Sequence, residues 1–358
     1  MRHVADDGGS DLGNSGLSQI REDLRGSAKA FVASFRSRDL GRAQIAYLAF
    51  ELTEWGGLVA LFVYAFQSGG MKAVGVIALV QQLPAAVVAS LGSTLGDRFD
   101  RRLVLVLVFV AFSAFTLGAG VAMLLGASAP VSYLLACSSG WTLTLVRPTY
   151  SALVPWLVET PQQLTTSYAA CGLMESIAMF LGPIIVGTSL AFAAGRTISG
   201  PGLAYLVLGA LLLVGTVLLW TTRATNRTVD EEPPEAFRFA ELGAGFAYVF
   251  GDQRRRLLVG LVGVGSLELG VIDGLIVVLA IDVLKTGEAG VGFLNAAMGV
   301  GAVVGAMVAM VSGQRPRLFP AFRAGLILGG APLAVTAAAP LLAAPMVAVA
   351  GGGCRSWM

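Results

Sequence analysis

The feature that most constrains this chain is a succession of apolar stretches, each close to membrane-spanning length, separated by short polar breaks. At a rise of about 1.5 Å per residue, about 20 helical residues cross a hydrocarbon core of about 30 Å. The runs fall at residues 44–67, 73–95, 103–125, 131–154, 164–194 and 202–221, and again at 255–284, 288–312 and 320–339. A last apolar piece, 341–353, is short for a span. Lipid offers no partner for backbone N–H and C=O groups, so each run is predicted to be a helix. The expected fold is an all-α membrane protein, a bundle of six N-terminal transmembrane helices plus three to four of a second half. The charge supply agrees: 13% of residues are charged and 56% hydrophobic, against about 25% charged in an ordinary soluble domain.

Organisation follows from where the polarity lies. Residues 1–43 read as a cytosolic tail, Gly-, Ser- and Asp-rich at first rather than a signal peptide. Its end carries Phe31, Phe35, Arg36, Arg38 and Arg42. That pattern suits an amphipathic helix on an anionic membrane surface or a solvated helix entering the membrane. Residues 44–221 form the N-terminal bundle and 222–254 a polar linker. In the linker Phe237, Phe239, Leu242, Phe246 and Phe250 recur at helical spacing and predict an amphipathic helix. Residues 255–353 make an incomplete C-terminal bundle, and 354–358 a short tail.

Lysine and arginine placement sets the orientation. With the N-terminus cytosolic, about 20 of the 24 basic residues face inward, among them Arg98, Arg101, Arg102, Arg147, Arg254–Arg256, Arg315, Arg317 and Arg323. Lys72, Arg196 and Lys285 fall on the other side. The expected location is the inner (plasma) membrane of a bacterial cell, multi-pass.

Several chemistries are excluded. His3 is the single histidine and lies in the tail, so a buried proton carrier must be a carboxylate. Cys137, Cys171 and Cys354 have no disulfide or metal-ligand spacing, and neither a metal nor a cofactor is expected. No nucleophile–base–orienter constellation and no phosphate-binding glycine loop is present, so an enzyme or ATP-driven pump is not expected. A net charge of +2 is too small to imply nucleic acid.

A charge at mid-bilayer costs at least about 2.5 kcal/mol and needs a polar partner or a wet cavity. Intramembrane charges here are Glu51 and Glu54 in the first span, Arg147 in the fourth, Glu175 in the fifth, and Glu268 and Asp273 in the seventh. The first, fourth and seventh all carry charge, a period of three that is expected to separate cavity-lining from lipid-facing helices. Glu51 and Glu54 share a face roughly 10 to 15 Å in from the edge, and Glu175 and Glu268 come out at similar depth. A cluster of carboxylates with Arg147 is therefore expected within the first half. These six residues are candidates for a proton or substrate pathway, and a structural ion pair fixing helix packing is the competing reading. In a low-dielectric cavity a carboxylate's charged form is disfavoured, which suits loading and unloading of protons.

Two motifs add to this. Between the second and third spans stands GDRFDRR, in which Asp97, Arg98, Arg101 and Arg102 fall in the pattern D-R-x-x-R-R. One acid and three bases can bond charged groups to neighbouring helix ends and hold a gate, or merely anchor the loop by positive-inside placement. The segment resembles the signature loop of the major facilitator superfamily, with Ser93 where that pattern has its leading glycine. In the fifth span, FLGPIIVG is similar to the G-P-x-x-G-G element of that superfamily's proton-coupled exporters, through Gly182, Pro183 and Gly187, with Val186 replacing a glycine. Proline removes a backbone bond and glycines admit close approach, giving a helix bend about which halves can rock. The Gly301 and Gly305 pair reads as ordinary packing.

The resemblance covers about residues 30–350 and implies two six-helix halves, each of inverted three-helix repeats, with sites near the midplane. It implies a drug or multidrug exporter-like bacterial transporter, apparently truncated in its C-terminal half, because helices 11 and 12 would lie beyond the sequence. On that ground the chain is expected to transport poorly by itself. The function expected is secondary active transport, proton-coupled antiport and efflux of a small amphiphilic molecule by alternating access. The alternative is a non-transporting membrane receptor or scaffold, or an inactive truncated transporter. Partners are a small-molecule substrate, protons and the lipid bilayer, with no oligomer required. Trp55, Tyr64, Gln81, Gln82, Met174 and Phe180 are candidates for pocket walls.

Overall fold

A computed structural model describes residues 38–98, 100–158, 160–222, 248 and 250–312, without the side chains of 85–98, 264–269 and 302–312 among others. The helix at residues 31–42 in its first part, most of the linker helix and the spans 320–339 and 341–353 lie outside the described residues. What is described is helical: α1 (Arg38–Arg98), α2 (Arg101–Leu124), α3 (Ala129–Leu143), α4 (Val146–Leu157), α5 (Pro161–Ala193), α6 (Gly200–Trp220), α7 (Gln253–Val278) with a π-helical end at Leu279–Val283, and α8 (Gly287–Ser312). Five stretches are long and apolar enough to cross a membrane: 38–82, 101–124, 129–157, 163–193 and 200–220.

Two boundaries differ from the sequence reading, and the break between the first two spans agrees with it. The expected spans 44–67 and 73–95 are two arms of α1, joined at Gly69 and Gly70. Gly70 takes φ 63°, a positive φ that only glycine adopts without strain, and so breaks the helix between the two arms. The expected single span 131–154 is two helices. α3 ends at Leu143, and Thr144 and Leu145 form a turn before α4. Pro148 accounts for the break: it has no N–H for the Thr144 carbonyl, and its ring collides with that carbonyl in a continuous helix. The span 255–284 widens into π geometry at Leu279–Val283, where Thr286 donates its hydroxyl to the Ala280 carbonyl at 3.0 Å.

The outer surface is apolar. Leu103, Leu107, Val110 and Val121 on α2, and Leu211, Val214 and Val217 on α6, point outward at helical spacing. Lipid tails are as apolar as these side chains, so inter-helix packing must come from close fit and polar pairs rather than from expulsion of water. Such pairs bind α1, α2 and α6. Ser113 and Thr216 hydroxyls lie 2.9 Å apart, Tyr205 donates to the Gly57 carbonyl at 3.1 Å, and Thr53 donates to the Leu208 carbonyl at 3.3 Å.

Two apolar cores result. One, nearest the chain's first turn, gathers Tyr47, Phe50, Phe109, Phe112, Tyr150, Leu153 and Met174. The other gathers Leu61, Phe62, Met123, Cys137, Met179 and Tyr205 with Ile276, Leu294 and Met298, so it ties α7 and α8 to α1 and α5. α8 packs mainly on α5, and glycines set the spacing. A Cβ on Gly182 would lie 2.9 Å from the Gly56 nitrogen, and one on Gly292 would lie 2.5 Å from the Gly187 Cα.

Candidate functional site

Between the two cores, three carboxylates converge on one nitrogen. Arg147 Nη2 lies 3.2 Å from Glu51 Oε2, 3.1 Å from Glu54 Oε2 and 3.3 Å from Glu175 Oε1. Glu51 and Glu54 are one turn apart on the first arm of α1 and so share a face. Arg147 enters from the second residue of α4, where the Pro148 break aims a fresh helix start into the bundle. Glu175 comes from the middle of α5. Glu51 is fully buried, Glu54 and Glu175 are about three-quarters buried, and Arg147 retains 40% exposure. The guanidinium sits 5.7 Å from the Phe50 ring centroid, and the Tyr47 and Tyr150 rings lie 4.5 Å apart at a tilt of 35°.

The charge count makes this more than an ion pair. Three carboxylates face one guanidinium, so with every group ionised two negative charges have no counter-ion. A low-dielectric interior tolerates unpaired charge poorly, and proton uptake is the simplest way to balance it.

Asp273 is not part of that cluster. It lies on α7, in a cleft walled by Trp55, Leu58, Val59, Met179, Pro183, Asn295 and Met298. Glu268 lies on the same helix, and its side chain is outside the described set. Among the described residues no group of three His, Cys, Asp or Glu is placed to hold a metal ion.

The D-R-x-x-R-R segment joins α1 to α2. The side chains of Asp97 and Arg98 lie outside the described set. Arg101 stacks over the Trp156 ring at 5.0 Å, and Arg102 donates to the Trp220 carbonyl at the end of α6. Asp100, which the sequence reading passed over, caps α2: its carboxylate accepts from the Arg102 and Leu103 amides at 2.9 and 3.3 Å. The signal was available, since an Asp directly before an apolar helical run is an N-cap pattern.

Gly182, Pro183 and Gly187 lie where α5 meets two neighbours, Gly182 against α1 and Gly187 against α8, and α5 continues through Pro183 without ending. Trp55 lines the Asp273 cleft, whereas Met174 is fully buried in the core and Tyr64 packs edge-on against Tyr133 at 5.4 Å. Gln81 fills the space a side chain at Gly140 would need, and the Phe180 backbone lies against Gly299. Asn295, beside Asp273, was missed because an isolated Asn in an apolar run carries no pattern.

A helical, multi-pass membrane protein with its ionisable groups gathered inside the bundle is the class that this fold and site define. The sequence pattern of the Major Facilitator Superfamily matches residues 45–356, and the chain belongs to that family. Solved structures of the same fold include the nucleoside transporter NupG, at 11% identity and TM-score 0.63 over 89% of this chain and 80% of that one. Others are the xylose transporter XylE from E. coli, at 14% identity and TM-score 0.58 over 92% and 81%, and a D-xylose-proton symporter, at 15% and 0.57 over 91% and 79%. At these identities the likeness concerns the fold alone. No curated protein sequence matches the chain significantly.

Proposed function

We propose that this chain is a proton-coupled secondary transporter that exports a small amphiphilic molecule by alternating access, with the Glu51, Glu54, Arg147 and Glu175 cluster as its proton site. The observation that carries the reading is the convergence of three carboxylates on one arginine nitrogen within a membrane-embedded bundle. Such a site can take up and release protons while Arg147 remains a fixed cation, and each change of charge rebalances the contacts between α1, α4 and α5. Family membership supports transport, and a proton symporter among the solved relatives supports coupling to protons. The Asp97, Arg98, Arg101 and Arg102 segment acts as the gate, and Gly182, Pro183 and Gly187 as the bend between halves. The bias of basic residues supports an N-terminus on the cytosolic side of the plasma membrane.

The test is flux into proteoliposomes containing the whole chain under an imposed pH gradient. Glu54→Gln and Glu175→Gln should each lose coupled flux while folding normally. Normal proton-coupled flux in both variants would overturn the assignment and leave a structural ion cluster, as a receptor or scaffold would carry.

A further inference from the structure

Where α1 begins and α6 ends, the two helices border a basin of about 460 Å³ lined by Arg38, Asp39, Arg42 and Thr221. Arg42 donates through Nη1 to the Thr221 carbonyl at 3.0 Å, and the same nitrogen lies 3.4 Å from the Asp39 carboxylate. Arg102 donates to the neighbouring Trp220 carbonyl, so α1 and α2 each bring a guanidinium to the C-terminal end of α6. The helices beneath are closely fitted: a Cβ on Gly215 of α6 would lie 3.1 Å from the Ala46 Cα of α1. The basin therefore rests on a fixed helix crossing. None of its four lining residues belongs to the proton cluster.

Depth identifies what surrounds it. The apolar run of α6 ends at Trp220 and that of α1 begins near residue 44, which puts the basin at the level of lipid headgroups. Ile45 follows Arg38 and Arg42 on one face of α1, at helical intervals of four and three, and it is exposed. Val214, Val217 and Trp220 are exposed on α6, with the tryptophan at the depth where such rings anchor in the interface. A lipid whose chains lie along this apolar surface has its headgroup beside the arginines.

We propose that the basin binds the headgroup of an anionic phospholipid, a phosphodiester of single negative charge such as phosphatidylglycerol carries. The inference needs only that the chain is in a membrane and stands apart from the transport reading. Two guanidiniums and one carboxylate leave the lining with a net charge of +1, the complement of one phosphodiester. The planar guanidinium fork matches two phosphate oxygens at once, and arginine sheds water more readily than lysine. Arg38 has no acceptor among the described residues, and Arg42 makes both of its bonds through Nη1, which leaves Nη2 for a phosphate oxygen. A choline or ethanolamine headgroup brings a cation of its own, which the arginines repel. Basic hollows between helix ends on the side rich in arginine are where anionic headgroups lodge.

Native mass spectrometry of the purified, detergent-solubilised chain, titrated with one lipid at a time, tests this by counting bound molecules. The wild type should take up its first phosphatidylglycerol about tenfold or more tighter than phosphatidylcholine or phosphatidylethanolamine. Arg38→Gln should weaken phosphatidylglycerol by about fivefold, the usual weight of one basic residue at an anionic surface, and Arg38→Gln with Arg42→Gln by about tenfold or more. Arg38 bonds to nothing else among the described residues, so the single variant keeps the test valid even if loss of Arg42 loosens the end of α6. Arg254→Gln with Arg256→Gln, which removes two exposed arginines from the start of α7, should change phosphatidylglycerol binding by less than about twofold. Equal weakening by the two double variants would reduce the effect to general charge attraction and overturn the proposal. So would wild-type binding of phosphatidylethanolamine or phosphatidylcholine as tight as that of phosphatidylglycerol. Inorganic phosphate in excess, at ionic strength matched with chloride, should leave the lipid bound; displacement would assign the basin to a soluble anion instead.

Discussion

Gly187 of α5 and Gly292 of α8 cross with their backbones in contact, close enough that a Cβ on Gly292 would lie 2.5 Å from the Gly187 Cα. A turn and more along α8, a Cβ on Gly299 would meet the Phe180 Cα at the same distance. Backbone atoms, unlike the ends of flexible side chains, cannot step aside, so the fit of α8 on α5 depends on the absence of two methyl groups.

Gly292→Ala should therefore destabilise the protein by about 1–3 kcal/mol, the usual cost of overpacking a close-fitted contact. Gly172→Ala, on α5 where a Cβ would meet nothing within 4 Å, should be neutral or stabilising by about 0.5–1 kcal/mol. Thermal unfolding in detergent compares the two. Equal melting points for the variants would show that the crossing is not tight in solution.

Removing Arg147 leaves Glu51, Glu54 and Glu175 without a cation. Breaking a buried pair costs about 3–5 kcal/mol, and the 40% exposure of Arg147 reduces this to about 1–3 kcal/mol for Arg147→Ala. Adding Glu51→Gln and Glu54→Gln to that variant should recover part of the loss, because the uncompensated charge goes with the carboxylates. If the triple variant melts lower than Arg147→Ala, the glutamates stabilise the fold by some route other than pairing with Arg147.

Asp100→Ala removes the cap of α2, at a cost of about 1 kcal/mol. Hydrogen exchange should then quicken at the amides of Arg102 and Leu103, which lose their acceptor, while amides in the middle of α2 remain protected. Unchanged exchange at both amides would show that solvent replaces the carboxylate at no cost.

Much of this architecture is written in the order of residues. Lipid forces every apolar run into a helix, so run length alone places α2, α5 and α6 within a few residues of their observed ends. The cluster of carboxylates around Arg147 was also legible. Glu51 and Glu54 share a face by spacing, and a membrane penalises isolated charge enough that Arg147 had to find carboxylates at its own depth. Other features depend on contacts that no periodicity encodes. Asp273 stands apart from Arg147 because α7 faces α1 and α8 rather than α4, a matter of helix arrangement. The Asn295 position became meaningful only when α8 was laid against α7.

The break before Arg147 gives the sharpest test of how local sequence positions the site. In Pro148→Ala the amide at 148 can bond the Thr144 carbonyl, and α3 and α4 can run on as one helix. Removing the two-residue turn at Thr144 and Leu145 rotates and shifts everything that follows, Arg147 included, relative to α1 and α5. Helical propensity favours the variant, so its melting point should hold or rise. The contacts of the guanidinium with Glu54 and Glu175, now 3.1 and 3.3 Å, should lengthen or be lost. A double-mutant cycle between Arg147→Lys and Glu54→Gln should then show coupling below about 0.5 kcal/mol in the Pro148→Ala background, against about 1 kcal/mol or more in the parent. Coupled flux should fall by about tenfold or more, since a displacement of about 1 Å at a reacting group is that costly. A variant that keeps both the coupling and the flux would mean that packing of Tyr150, Leu153 and Val154 against the core holds α4 in place without help from the proline.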